Sequence, residues 1–345
     1  MNKPLSYLFA YLLPISVLIS FELSGWIAYF PVYIYFLILP VLELILKPAD
    51  GNLEKSQNIK AKKNPWFTLI ICLALPFQIL VLVVFLLKIN ELEFASPAFI
   101  AACVNMGLVN GILGINVGHE LGHSKNKIEE RFGEILLLLS LNSHFKPYHN
   151  MGHHYDVATR KDPATARKNE WLFLFWIRSH FMSYFYAWQL ENKRVKTEKG
   201  LKKLSKNYMI VYSLFSLLLT GTIYFLFGGY VLLGYLLSVV LGILLLETVN
   251  YIEHYGLLRN KISEKRFERP HVTHSWNSNH ILGRVTLFNL SRHSDHHHKV
   301  NKKYQNLMSL EESPQLPTGY PGMMLLAFVP PLFFSIMNPK LNQNE

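Results

Sequence analysis

Six stretches of this chain are apolar for about twenty residues each, and polar segments separate them unevenly. They fall at 5–23, 26–46, 66–87, 94–117, 209–227 and 231–251. A helix needs about 20 apolar residues to cross a hydrocarbon core ~30 Å thick, so each stretch predicts a membrane-spanning helix. The first four form two hairpins joined by a polar segment at 47–64. The chain then leaves the bundle near His119, returns through the fifth and sixth helices, and emerges again near His254. Stretches 135–141 and 171–188 carry His, Arg or Ser among or beside their apolar residues, and predict interfacial or core helices rather than crossings. The apolar run 323–337 is interrupted by Pro330 and Pro331, which break a helix, and is expected to pack against the bundle. The basic start and apolar run at the N-terminus invite comparison with a signal peptide. No small-residue cleavage site follows, and a second apolar run begins at once, so a retained helix is expected.

The resulting expectation is an all-α integral membrane bundle of six transmembrane helices under a histidine-rich helical cap. It is read as one domain over 1–345, with polar segments at about 118–207 and 252–345. Composition agrees: 50% of the 345 residues are apolar and only 17% are charged, which suits a membrane protein with sizeable loops. Net charge is +11. Its placement argues against nucleic acid. Five lysines lie between Lys47 and Asn64, and seven Lys or Arg between Glu191 and Asn207, while the connections near Gly25 and Gly229 have none. That is the positive-inside bias, and it puts the N-terminus and all histidine clusters on the cytoplasmic side. A basic face also suits an acidic electron donor. Cys72 and Cys103 both sit in apolar runs, so neither a disulfide framework nor a thiolate metal site is expected.

The chemistry lies in the histidines. Nine of fifteen form four clusters just beyond apolar stretches: His119 and His123 in HELGH; His149, His153 and His154 in HNMGHH; His254 in NYIEHYG; His293, His296 and His297 in SRHSDHH. At helical spacing, His119 and His123 share one side, as do His149 and His153, with His154 one residue round; His293 and His296 are three apart, with His297 adjacent. A lone histidine is most often a satisfied core or surface residue. Nine in spaced groups exceed what one metal ion can use, and a two-metal site follows. The other six (His144, His180, His271, His274, His280 and His298) are weaker candidates, with His280 in polar WNSNH the best placed to line the site. Glu120, Glu253 and Asp295 are positioned to accept the free ring N–H of a ligating histidine. Asp162 and Arg167 are expected to pair and hold the loop after the second cluster. HELGH alone also matches a zinc-protease pattern, but a catalytic zinc takes three protein ligands and would leave six clustered histidines idle.

HxxxH, HxxxHH and HxxHH resemble the three histidine boxes of the integral-membrane di-iron desaturases and hydroxylases. GHHYDVATRKDPATAR, NYIEHYGL, SWNSNH, SRHSDHHHKVNKKYQ and PQLPTGYPGM resemble the bacterial alkane 1-monooxygenase branch, over roughly residues 5 to 337. The resemblance implies two non-haem irons held by His119, His123, His149, His153, His154, His254, His293, His296 and His297, with no catalytic residue beyond these ligands. It implies O2-dependent hydroxylation of an alkane's terminal methyl to a primary alcohol. Electrons would come from rubredoxin, reduced by an NAD(P)H-dependent reductase. Two departures stand out: Tyr148 where the family usually has glutamate, and LSRHSDHHH where it usually has LQRHSDHHA. A related fatty-acyl or aromatic-methyl hydroxylase or a desaturase shares the same metal site, and a non-redox membrane metal protein remains a third reading.

Overall fold

Helices begin where the sequence supplies caps. In the computed structural model, which describes residues 3–264 and 266–342, Asn64 accepts from the Trp66 N–H at 3.0 Å and Pro65 opens the next helix. Ser96 does the same for Phe99 ahead of Pro97, and Asn207 for Ile210. Each cap satisfies an orphan donor, and a proline in the first turn loses no hydrogen bond. In chain order the main helices are α1 (Pro4–Ser20), α2 (Gly25–Ile45), α3 (Lys55–Lys63), α4 (Pro65–Ile89), α5 (Pro97–Gly122), α6 (Lys127–Leu139), α7 (145–156), α8 (Leu172–Arg194), α9 (Gly200–Lys206), α10 (Tyr208–His254), α11 (Ile281–Thr286), α12 (His293–His298), α13 (Tyr320–Ala327) and α14 (Pro330–Asn342). Strands Lys261–Ser263 and Arg266–Phe267 form a small antiparallel ribbon.

Among the described residues, four helices, α2, α4, α5 and α10, are long and apolar enough to cross a membrane; α1 is apolar but shorter. The six expected stretches are all helical, yet they do not map one to one onto six such helices. The expected fifth and sixth spans belong to one 47-residue helical stretch, α10, whose geometry breaks at Gly228 (φ 84°, ψ 172°). Only a residue without a Cβ adopts that backbone cheaply. Beyond the break the Tyr230 hydroxyl donates to Leu92 O, between α4 and α5, whereas Tyr212 before it reaches Glu134 on α6 and His254 lies among the histidines. The stretch therefore folds back on itself at Gly228. Pro330 and Pro331 open α14 rather than interrupting it, because α13 has already ended at Ala327.

Small residues let α5 and α10 cross closely. A Cβ added to Gly242 would lie 2.6 Å from Asn110 Cβ and 3.2 Å from Gly107 O, and one on Gly107 would lie 2.6 Å from Leu241 Cβ. Close backbone approach of this kind is how helices associate where lipid removes the hydrophobic drive. Polar contacts pin the same layer: Gln78 donates to Asn110 at 2.7 Å, and Asn110 to Ser238 at 3.3 Å. Leu37, Leu44, Ile45, Trp66, Phe225 and Leu226 remain exposed on the outside of the bundle. Apolar surface on that scale marks contact with something other than water.

Candidate metal centre

α5 and the second half of α10 end at the same place, and that shared end gathers the histidines. α5 delivers His119 and His123. Its last turn is held by α6 at a close crossing, where a Cβ on Gly133 would meet Gly118 O at 2.8 Å and Gly122 N at 2.9 Å. α10 delivers His254, and α12 delivers His293, His296 and His297. All nine clustered histidines meet in two adjoining groups. One comprises His119, His123, His149, His154 and His296; the other comprises His153, His254, His293 and His297; within each, the donor atoms lie within 4.8 Å of one another.

The division differs from the α-helical expectation for α7. His149–His153 form a π-helical turn with i→i+5 bonding. That register sends His149 and His154, five apart, to the first group and His153 to the second. On α12 the split follows ordinary helical spacing differently from expected: His293 and His297 share the four-histidine group, and His296 turns to the other. The rings meet edge to edge, with Nε2 pairs at 3.0 Å for His119–His296, 3.2 Å for His123–His154 and 3.2 Å for His153–His297. The other six histidines join neither group. His144 rests against His180, with ring centroids 5.2 Å apart, and His271 and His274 face Glu312 and Glu268. His280 bonds Ser278 at 3.1 Å, and the His298 ring lies 6.5 Å from that of His271.

The geometry fits cations. His293 Nε2 faces His254 Nε2 at 3.2 Å, His297 Nε2 at 2.9 Å and a Glu253 oxygen at 3.2 Å. One ring nitrogen carries either a single proton or a single lone pair and cannot satisfy all three; a metal ion among them can. Burial, helped by neighbouring imidazoles, pushes His149, His154, His293, His296 and His297 well below their ordinary pKa. Burial, with His153 and Lys146, takes His123 down to about 3. Neutral imidazole is the ligating form.

The carboxylates correct the expectation in detail. Glu253 is at the site, but its oxygen approaches the Nε2 edge of His293, on the side where the other rings converge. Its second oxygen accepts from Tyr320 at 2.6 Å. Glu120 accepts from the Tyr304 N–H at 2.8 Å, and Asp295 is bound by Lys302 and the Met308 N–H. Both act on the segment after α12 rather than on a ring. One oxygen of Glu120 is thus engaged by the segment after α12. The carboxylate that accepts from the free ring N–H of a clustered histidine is Asp162, 3.0 Å from His153 Nδ1. It binds Tyr148 and Thr165 as well, not Arg167, whose N–H turns to Glu170. Burial alone would raise the Asp162 carboxyl, but His153 and the hydrogen bonds from His153, Tyr148 and Thr165 outweigh it and hold it at about 2. Asp162 stood out in the sequence; its partner did not, because nothing local links it to His153. Tyr320 likewise sits in PTGYPG, a segment with no chemical signal of its own.

Among the described residues, two clefts border the centre. An apolar one lies between α2, α5, α10, α11 and α13, lined by Phe36, Ile112, Leu245, Val249, Leu287 and Met324, with Glu253 and Tyr320 also in its wall. A polar one opens outward beside His123 and carries Lys62, Lys125, Lys302 and Lys303.

A family model described as fatty acid desaturase matches residues 95–327. The chain is 34% identical to an alkane 1-monooxygenase of Ectopseudomonas oleovorans, across 92% of this chain and 80% of that relative. It is 33% identical to alkane 1-monooxygenase 1 of Alcanivorax borkumensis, across 95% and 81%. Similarity at 27% identity extends to the hydroxylase component of a Pseudomonas putida xylene/toluene monooxygenase, across 96% and 88%.

Proposed function

The chain belongs to the fatty acid desaturase family, and on that footing we propose that it is an integral membrane monooxygenase with two non-haem irons, converting alkanes to primary alcohols. The observation that carries this reading is the meeting of nine imidazoles, seven buried and two half-buried, in two groups beside an apolar cleft whose wall includes Glu253, in contact with His293. Each group offers the neutral nitrogen donors that ferrous iron takes. When bound, the irons would supply reductive activation of O2 for insertion into a C–H bond.

The chain's own residues do the rest. An alkane has no polar handle, so Phe36, Ile112, Leu245, Val249, Leu287 and Met324 hold it by apolar burial alone, at ~0.8 kcal/mol per CH2. For an eight-carbon chain that is roughly 6 kcal/mol before entropy costs. Glu253 lies in the wall of this cleft and touches His293, so a chain end brought beside Glu253 stands next to the histidines. The same lining keeps bulk water away from the reacting end. Asp162 holds the Nδ1 proton of His153, leaving Nε2 free to ligate.

Electrons would enter where His123 comes closest to the surface. Of the lysines beside it, Lys302 and Lys303 pair with Asp295 and Glu129, and Lys62 and Lys125 suit an acidic carrier such as rubredoxin, itself reduced by an NAD(P)H-dependent reductase. Six crossings, counting α1 and both limbs of α10, bring both lysine-rich segments to the histidine end. α3 meets the segment after α12 where Asn306 donates to Asn58 at 2.9 Å, and Lys146, beside the centre, lies over the Tyr208 ring that follows the second segment. The positive-inside rule then supports a cytoplasmic active centre in the inner membrane.

Whole-cell conversion of mixed short and long alkanes together with xylene under oxygen-18 gas, with rubredoxin and its reductase co-expressed, tests the proposal. Labelled primary alcohols are expected. Alkene without label would make the chain a desaturase, and oxidation of aromatic methyl groups alone would favour the xylene-type reading that the 27% relative raises.

A further inference from the structure

Position 148 is one of two places where this chain departs from the pattern it otherwise resembles, and the structure gives its residue a definite task. Tyr148 is 2% exposed and stands directly before the first histidine of α7. Its hydroxyl donates to Asp162 Oδ1 at 2.6 Å and accepts the Ala164 N–H at 3.0 Å. Asp162 Oδ2 accepts from His153 Nδ1 at 3.0 Å and from Thr165 Oγ1 at 2.7 Å. The side chain of Asp162 is wholly buried. Every oxygen of that carboxylate therefore has a donor, and on the oxygen away from His153 the phenol supplies the shorter of two, the other being the Ala164 N–H at 3.3 Å.

We propose that Tyr148 is a positioning residue: through Asp162 it fixes the ring of His153, and with it the ligand field of the four-histidine group alone. The argument is geometric. A carboxylate turned by one strong hydrogen bond on each oxygen cannot rotate, so the Nδ1–H of His153 has a single acceptor direction and its Nε2 a single aim. Without the phenol, Asp162 keeps Thr165 and His153 on Oδ2, while Oδ1 retains only a longer contact from the Ala164 N–H at 3.3 Å. The carboxylate can then tilt. The five-histidine group shares no member with this relay, because His153 belongs to the other set.

This inference rests on the di-iron reading, and its test separates the two. Wild type, Tyr148→Phe, Asp162→Asn and the double variant are purified with iron-57, then compared by iron content, Mössbauer spectrum and rate of iron release to a chelator. Phenylalanine keeps the ring and its packing. The expected result is two irons in Tyr148→Phe, one of two spectral components altered, and about tenfold faster release of one iron only, at the low end of what such outer partners contribute. Asp162→Asn should alter the same component more strongly, and adding Tyr148→Phe to it should change nothing further. Unchanged spectra and release in Tyr148→Phe, or additive effects in the double variant, would overturn the inference while leaving the di-iron reading intact. A wild type that binds no iron would overturn both.

Discussion

The Tyr320 hydroxyl donates to Glu253 at 2.6 Å, and the other oxygen of that carboxylate lies 3.2 Å from His293 Nε2. A residue of α13 thereby reaches the histidine cluster through one carboxylate, and both side chains line the apolar cleft. Tyr320→Phe removes the hydrogen bond with almost no change of volume. Octanol formation from octane should fall about tenfold while iron content stays at the wild-type value, because a charge-assisted bond of this kind contributes about 1.5–3 kcal/mol. Loss of iron in that variant would assign Tyr320 a role in holding the metal instead.

His254 is fully buried among His153, His293 and His297, at the end of α10. His254→Ala should abolish hydroxylation and leave a folded membrane protein with close to half the wild-type iron, since only the four-histidine group loses a donor. Detergent size-exclusion and metal analysis check both parts. Normal turnover would remove His254 from the ligand set.

Gly133 sets how closely α6 approaches the HELGH turn, with an added Cβ only 2.8 Å from Gly118 O. That neighbour is backbone and cannot swing aside, so Gly133→Ala must push α6 away from His119 and His123. Overpacking costs typically about 1–3 kcal/mol. A fall of several degrees in Tm and partial iron loss are expected, whereas Gly51→Ala, where a Cβ would meet nothing within 4 Å, should be neutral.

His123 is driven down to about 3 by burial, His153 and Lys146. Its unfolded value is about 6.5. Between those values the unfolded chain binds the proton and the folded chain does not, so stability rises with pH across this window and falls on acidification from 6.5 toward 3. His149, His154, His293, His296 and His297 are lowered in the same direction, and add to the slope. Thermal melts of the metal-free protein between pH 7.5 and 5 should show Tm dropping steeply below about pH 6.5. A flat profile would mean that these rings are not neutral and buried in solution.

Val249 lies on the wall of the apolar cleft, on the turn of α10 before Glu253. Val249→Phe should shorten the longest alkane converted by a few carbons and leave the shortest unaffected, read from product profiles of a mixed-alkane feed. An unchanged window would place the substrate elsewhere.

Helices and candidate ligands were legible in the chain because both are local. Twenty-residue apolar runs need no partner to be recognised, and Asn64-Pro65, Ser96-Pro97 and Asn207 mark where helices start. The nine histidines likewise declare themselves by spacing within their own segments. What the local pattern does not contain is which rings face each other. The split into five and four depends on a π turn at His149–His153 and on the meeting of α5, α7, α10 and α12, whose contacts span up to 177 residues of sequence. The partners of the carboxylates were decided the same way. Glu120, Glu253 and Asp295 look alike beside their histidines, yet Tyr304, Tyr320 and Lys302 draw them to different tasks. Asp162 reaches His153 only because Tyr148 and Thr165 turn it there. A side chain's chemistry is written in its residue type, but its direction is settled by the packing and hydrogen bonds of the folded chain.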